Sequence, residues 1–356
     1  MRISYVLPRP ELGGGNKVIF QHVRLLQEHG DEVTVLCEGP KPGWAEIRAA
    51  YVDLTDRTDR TDRTDGATNL PEQDLVIATY WTTLARARSL GLGPLAHFCQ
   101  GYEGGLIHLR PVLREIEEVY SWNLPTLTVA PHLGDFLRER FGRESRVAPP
   151  PLDPRFRPAW RLGPRRRPWI AIPGIFEAEV KGIRTALEAV RRLRASGIPC
   201  RVLRFSMLPL SAEERALLEP DRYLCGVPPG TIARVLPTCD LLLLPSLPEE
   251  GFGLPLLEAM ASKVPAVASR IPSTVHIAEG AVPLVPPSDA EAFAAAAREL
   301  LASRSAWRRA RERGHEASRQ FLPEAVAPKL VEGVRWAREH ALQDPLPIPM
   351  TLETKL

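Results

Sequence analysis

Glu250 and Glu258 bracket the stretch Gly251-Phe252-Gly253-Leu254-Pro255-Leu256-Leu257, the part of the chain best equipped for chemistry. Two carboxylates can accept hydrogen bonds from a ligand, and the two glycines between them give that ligand close access to backbone N–H groups. The flanking elements fix where such a loop must lie. Leu241–Leu244 is a continuous apolar run closed by Pro245, the pattern of a central parallel strand buried on both faces. Val264–Ala268 is a second such run. A helix is predicted from about Leu254, with Pro255 in its first turn, where a missing N–H costs little. Strand, loop, helix and strand together put the loop at a strand's carboxyl end, where open α/β sheets bind ligands. Either acid alone reads as a solvated surface group; in this frame the pair is a candidate site.

This spacing closely resembles the signature of retaining, family-4-type glycosyltransferases (glycosyl transferases group 1), which have the GT-B fold. The resemblance implies that Glu250 meets hydroxyls of a donor sugar and that Glu258 binds a nucleotide's ribose. It also implies that backbone amides of Gly251, Phe252, Gly253 and Leu254 face the sugar and diphosphate. Carboxylates accept hydrogen bonds from sugar hydroxyls, and N–H groups at a helix start favour phosphate. The family carries Gly-Arg and then Lys-Gly as a cationic pair on the diphosphate. Lys181-Gly182 opens the predicted helix Ile183–Ala195, so Lys181 is the matching cation. Ile175, after Gly174, stands where the arginine is expected, and Arg184 and Arg204 are the nearest candidates in sequence to replace it. A cation at a helix start opposes the helix dipole, which favours a functional role for Lys181.

The N-terminal half opens with a predicted strand, Ile3–Leu7, then a loop with three consecutive glycines and a helix from about Asn16 to Gly30. Glu32–Cys37 is the next strand. Gly13-x-Gly15 half resembles a dinucleotide-binding fingerprint, but Val18 holds the third glycine's place and the loop is too long for the tight turn. In the glycosyltransferase family this loop approaches donor phosphates and acceptor, which selects Gly14 and Gly15 for the donor and Asn16 for the acceptor side. Leu75–Thr79 and Leu95–Cys99 are further strands, the second running into Gln100-Gly101-Tyr102-Glu103-Gly104-Gly105. A polar, glycine-punctuated loop at a strand end is a site position. Gln100, Tyr102 and Glu103 are the expected cleft residues there. His97, inside the strand, is expected to be a satisfied core residue.

At 356 residues and net charge +3, the chain suits two globular domains and gives no reason to expect nucleic acid. The five cysteines, at 37, 99, 200, 225 and 239, lack metal-ligand spacing and read as buried free thiols. With no signal peptide before the first strand and no apolar run long enough to span a bilayer, a cytoplasmic protein is expected, with peripheral contact at the inner membrane face as an option. The Thr-Asp-Arg repeat of Thr55–Asp65 has no apolar face and is expected to be a solvated insertion. Pro149–Pro158 is dense in proline, as a stiff interdomain linker should be. The Arg161–Arg167 cluster is expected to be a solvated face, with anionic lipid as its alternative partner.

The expected architecture is α/β and GT-B: two Rossmann-like domains, 1–158 on the acceptor side and 166–323 binding the nucleotide sugar, facing a central cleft. A helix within 324–343, centred on Val326–His340 and broken at Pro328, would cross back to the first domain, and 344–356 would be an extended tail. The expected reaction moves a sugar from a nucleotide-diphosphate donor to a hydroxyl of a saccharide or lipid-linked acceptor, with retention, in glycan or glycolipid biosynthesis. Glu250 and Lys181 would be its catalytic residues, with no metal and no cofactor beyond the donor. A catalytically silent nucleotide-sugar-binding protein is the alternative, ahead of an NAD(P)-dependent oxidoreductase.

Overall fold

A computed structural model describes residues 1–55 and 70–343. The Thr-Asp-Arg repeat beyond Thr55 and the tail from Asp344 lie outside the described residues. The chain divides into two compact units, Met1–Pro150 with the segment from Val326 onward, and Pro151–Ala325. The first boundary thus falls inside the proline-dense stretch rather than after it, at Pro158.

The first unit holds a seven-stranded parallel sheet. Its strands are β1 (Arg2–Leu7), β2 (Glu32–Cys37), β3 (Ala50–Asp53), β4 (Leu75–Ala78), β5 (Leu95–Cys99), β6 (Thr126–Thr128) and β7 (Ser145–Val147). They lie in the order β3-β2-β1-β4-β5-β6-β7, so the direction of winding reverses between β1 and β4. β1, β2, β4 and β5 are apolar along nearly their whole length because helices cover both faces of a parallel sheet. Three elements were not visible in the sequence pattern: β3, which is only half-buried, and the helices Trp81–Leu90 and Leu113–Tyr120. His97 is buried within β5 as expected, but it is not satisfied: neither ring nitrogen has a hydrogen-bond partner. Burial pushes its pKa well below the ordinary range, so the ring is neutral.

The second unit holds a six-stranded parallel sheet. Its strands are β8 (Trp169–Pro173), β9 (Arg201–Ser206), β10 (Arg222–Cys225), β11 (Leu241–Leu244), β12 (Ala266–Ser269) and β13 (Leu284–Val285). The order is β10-β9-β8-β11-β12-β13, with its reversal between β8 and β11. The helix Ile183–Ala195 buries Ile183, Ala186, Leu187, Val190 and Leu193, a stripe at helical spacing. That stripe shares a core with Ile170, Leu241, Val267 and Phe293. Each fully buried large apolar side chain contributes about 1.5–3 kcal/mol relative to leaving it in water. Four cysteines are buried; Cys225, at the end of β10, is exposed, contrary to expectation.

The last described helix runs unbroken from Pro323 to Gln343. Pro328 lies within it without interrupting it, at the loss of the bond its nitrogen would have donated to the Glu324 carbonyl. From Val326 the helix belongs to the first unit. There a Cβ on Gly333 would lie 3.0 Å from Leu127 Cδ2, and Arg146 stacks 4.8 Å from the Trp336 ring centroid.

Candidate functional site

In the second unit the loops after β8 and β11 leave the sheet on either side of its reversal point, the position where open α/β sheets take ligands. Lys181 comes from the first loop and Glu250 from the second. Lys181 Nζ donates to Glu250 Oε2 at 2.7 Å, and Ser246 Oγ donates to the same oxygen at 3.1 Å. The lysine keeps about a third of its side chain exposed, at 34%, while the glutamate keeps 11%. A polar group set in this way can reach a ligand and still hold its partner.

Backbone geometry locks the two loops together. Leu247 N–H donates to the Val180 carbonyl at 2.8 Å. Gly182 has φ +58°, and a Cβ there would lie 2.0 Å from the Pro245 carbonyl oxygen, so only glycine fits. Gly174, with φ +126°, leaves the space that Lys181 Cβ and Cγ occupy, at 3.2 and 3.3 Å from where its own Cβ would be. The two Gly–Lys motif glycines therefore serve to seat the lysine. Nothing in the sequence pattern singled out Ser246; its only signal is its place one residue past Pro245.

The glycine loop is held from below by an aromatic anchor. Phe252 is buried, with its ring edge-on to Phe321 at 5.5 Å and to His276 at 6.4 Å. With its side chain turned inward, Phe252 offers a ligand backbone and not ring. Gly253 at φ +97° then opens the helix Leu254–Ala261, with Pro255 in its first turn. Glu258 lies just over one turn into that helix and is half-buried.

Arg155 is a neighbour that sequence reading did not select. Asp153 accepts from its Nε at 2.9 and 3.1 Å and from its Nη2 at 2.6 Å. These bonds raise the guanidinium pKa, with a further contribution from the charge of Glu258. Nη1, the nitrogen not engaged by Asp153, lies 3.8 Å from where a Cβ on Gly230 would be.

Both arginines suggested as substitutes at Ile175 are engaged with glutamates. Arg204 is fully buried, paired with Glu214 through Nε, and its Nη2 donates to the Gly174 carbonyl at 2.9 Å. It acts on the β8 loop from beneath. Arg184 is exposed, pairs with Glu213 and lies 5.4 Å from the Phe176 ring centroid.

In the first unit, the loops after β1 and β5 also come together. Gln100 Nε2 lies 3.2 Å from where a Cβ on Gly15 would be, so the predicted Gln100 does reach the glycine loop. Gly14 and Gly15 form the first turn of the helix Gly14–Glu28, which starts two residues earlier than expected. Asn16 is engaged in holding that loop, its Nδ2 donating to the Arg9 and Glu11 carbonyls at 2.8 Å each. Tyr102 packs among Tyr120, Phe136 and Phe141, with its hydroxyl buried, and its ring leaves no space for a Cβ on Gly104. Glu103 does not line a cleft: it is buried and accepts from the Tyr120 hydroxyl. Burial pushes its pKa up to about 7, against smaller opposing pulls from that bond and from Arg143. A polar, glycine-rich loop predicts cleft residues at Tyr102 and Glu103; the structure uses them to pack that loop down.

Residues 167–303 match the family model described as Glycosyl transferases group 1. That match covers less than half of the chain, and it contains Lys181, Ser246, Glu250 and Glu258. The chain is 34% identical over 131 residues to WcaL of Salmonella typhimurium, assigned as a colanic acid biosynthesis glycosyltransferase, covering 33% of this chain and 32% of WcaL. It is 32% identical over 164 residues to the MMP alpha-(1->4)-mannosyltransferase of Mycolicibacterium hassiacum, covering 44% of this chain and 40% of that protein. The matches thus span less than half the length of these relatives. Over 94% of this chain and 100% of the other, the structure resembles Anabaena HepE solved with UDP-glucose, at TM-score 0.75 and 14% identity. At that identity the likeness speaks for the fold, which is GT-B. Among the described residues no helix is long and apolar enough to cross a membrane.

Proposed function

We propose that the protein transfers a sugar from a nucleotide-diphosphate donor to an acceptor hydroxyl, with retention of anomeric configuration. One observation carries this reading: Lys181 and Glu250 meet at the sheet reversal inside the glycosyl transferases group 1 match, beside the Gly253 helix start. Departure of a diphosphate develops negative charge on the leaving oxygen and oxocarbenium character on the sugar. A cation and backbone N–H groups placed opposite that oxygen stabilise the transition state more than the ground state. In this role Lys181 trades its bond with Glu250 for one with phosphate, and Glu250 turns to the sugar hydroxyls. Glu258 holds the ribose.

With these groups supplying the charge, the reaction needs no resident metal. The acceptor is a saccharide or a lipid-linked saccharide, and the protein works at the cytoplasmic side with peripheral membrane contact. Incubation with labelled nucleotide sugars tests the reading: slow donor hydrolysis supports it, and failure to bind any nucleoside diphosphate would overturn it. The structure also favours a second reading. Ile175 stands in the place of one cation, Arg204 is buried against Glu214, and Arg184 is paired with Glu213. A donor-binding protein with weakened or absent turnover would bind nucleotide sugars and leave them intact.

A further inference from the structure

We infer that the second unit carries a docking surface for an anionic lipid bilayer, formed by Trp160 and Leu162 and rimmed by Arg166, Arg167, Arg304 and Arg308. It gives a location to the peripheral membrane contact of the proposed function and does not depend on the transfer chemistry.

Trp160 is 86% exposed and Leu162 58% exposed, two large apolar side chains separated by one residue. Single exposed apolar residues are ordinary, but an exposed indole and an exposed isobutyl group one residue apart call for a partner. The backbone that presents them is anchored from beneath. Arg161 and Arg165 both pair with the buried Asp240, and Arg161 Nη1 also donates to the Cys239 carbonyl at 2.7 Å. Arg311 donates to the Ala159 carbonyl, and Arg308 Nε to the Leu162 carbonyl at 3.0 Å. The two apolar tips are therefore held outward on a fixed platform.

Four exposed arginines lie near them. Arg166 and Arg167 are exposed and follow directly in sequence. Arg304 and Arg308 lie one turn apart on the helix Arg304–Ser318, with Arg304 Cγ 3.2 Å from where a Cβ on Gly163 would be. None of these four pairs with a carboxylate among the described residues, whereas Arg161 and Arg165 do. The surface thus differs from the arginine run in the sequence: two of its arginines are consumed internally, and a distant helix supplies two others.

An indole suits the headgroup level of a bilayer because one end is apolar and the other polar, and arginines beside it are attracted to anionic headgroups. Leu162 offers nothing to a nucleic-acid base or phosphate, and the whole chain's charge of +3 is small for such a partner. A lipid surface satisfies the apolar pair and the cations together.

Co-sedimentation of the full chain with vesicles tests this. Wild type should pellet with equimolar phosphatidylcholine and phosphatidylglycerol, fail to pellet with phosphatidylcholine alone, and be released by salt. Trp160→Ser and the double variant Arg166→Ser/Arg167→Ser should each lower partitioning by about tenfold or more. Both should keep the wild-type thermal midpoint and nucleoside diphosphate affinity, because the altered side chains are exposed. Equal partitioning by Trp160→Ser and wild type would overturn the inference. So would absence of wild type from the anionic vesicles, including the case where it is instead retained on a duplex oligonucleotide.

Discussion

Lys181 and Glu250 lie 69 residues apart in sequence, yet their side chains meet at 2.7 Å. Each comes from the strand end on one side of the same sheet reversal. Gly182 and Gly174 make the approach sterically feasible, and Ser246 donates to the same carboxylate oxygen.

That pairing sets the first prediction. Lys181→Ala should lower donor turnover by at least tenfold, about 1.4 kcal/mol of barrier, with nucleotide binding hurt less. Donor hydrolysis and calorimetric titration with the nucleoside diphosphate measure the two quantities separately. Undiminished turnover would remove Lys181 from the phosphate site. Because Arg204 is buried and Arg184 is paired at the surface, Ile175→Arg should raise turnover by restoring the second cation.

Glu258→Ala should weaken binding of both free nucleoside diphosphate and nucleotide sugar by about 1.5–3 kcal/mol, the usual cost of a hydrogen bond to a charged group. Glu250→Ala should instead spare free nucleotide and harm turnover. Equal nucleotide affinities in wild type and Glu258→Ala would refute the ribose assignment.

Metal independence is a separate expectation. In the proposed mechanism Lys181 and the loop amides supply the positive charge that faces the leaving group, so turnover should survive exhaustive chelation. Loss of activity in chelator with recovery on adding a divalent cation would assign that charge to a metal instead.

Gly182→Ala should destabilise the protein by about 2 kcal/mol or more, since a methyl group would meet the Pro245 carbonyl and the residue would be forced to φ +58°. Urea denaturation measures this. A variant as stable as wild type would mean that the two loops are not clamped as described.

Glu103 gives a prediction for pH. Burial lifts its pKa from the ordinary 4.5 to about 7 in the folded protein. Between those values the folded state keeps a proton that the unfolded state has lost, so this group's contribution to stability falls as pH rises, and is constant above about 7. Glu103→Gln cannot titrate. Its stability relative to wild type should therefore increase by on the order of 3 kcal/mol from pH 4.5 to pH 8. Parallel stability profiles for the two proteins would show that the carboxyl is not held in this state.

The sequence by itself determined the alternation of strands and helices and the presence of the Glu250–Glu258 frame. Apolar runs such as Leu241–Leu244 and the helical stripe of Ile183–Ala195 are local signals, set by burial on two faces or on one. Proline and glycine punctuation marked the loop between Pro245 and Gly253 for the same local reason, but not Pro328 or Gly14, which lie within helices. What lies across the sheet was not legible. Lys181 and Glu250 meet only because β8 and β11 are neighbours, and strand order is a property of the whole sheet. Arg204 in sequence is a cation close to the site; in the fold it is enclosed under Gly174, because β9 directs it into the core. Arg161 and Arg165 read like their neighbours Arg166 and Arg167 until Asp240 is brought beneath them. Composition fixes which groups can carry charge, but long-range packing decides which of them stay free to use it.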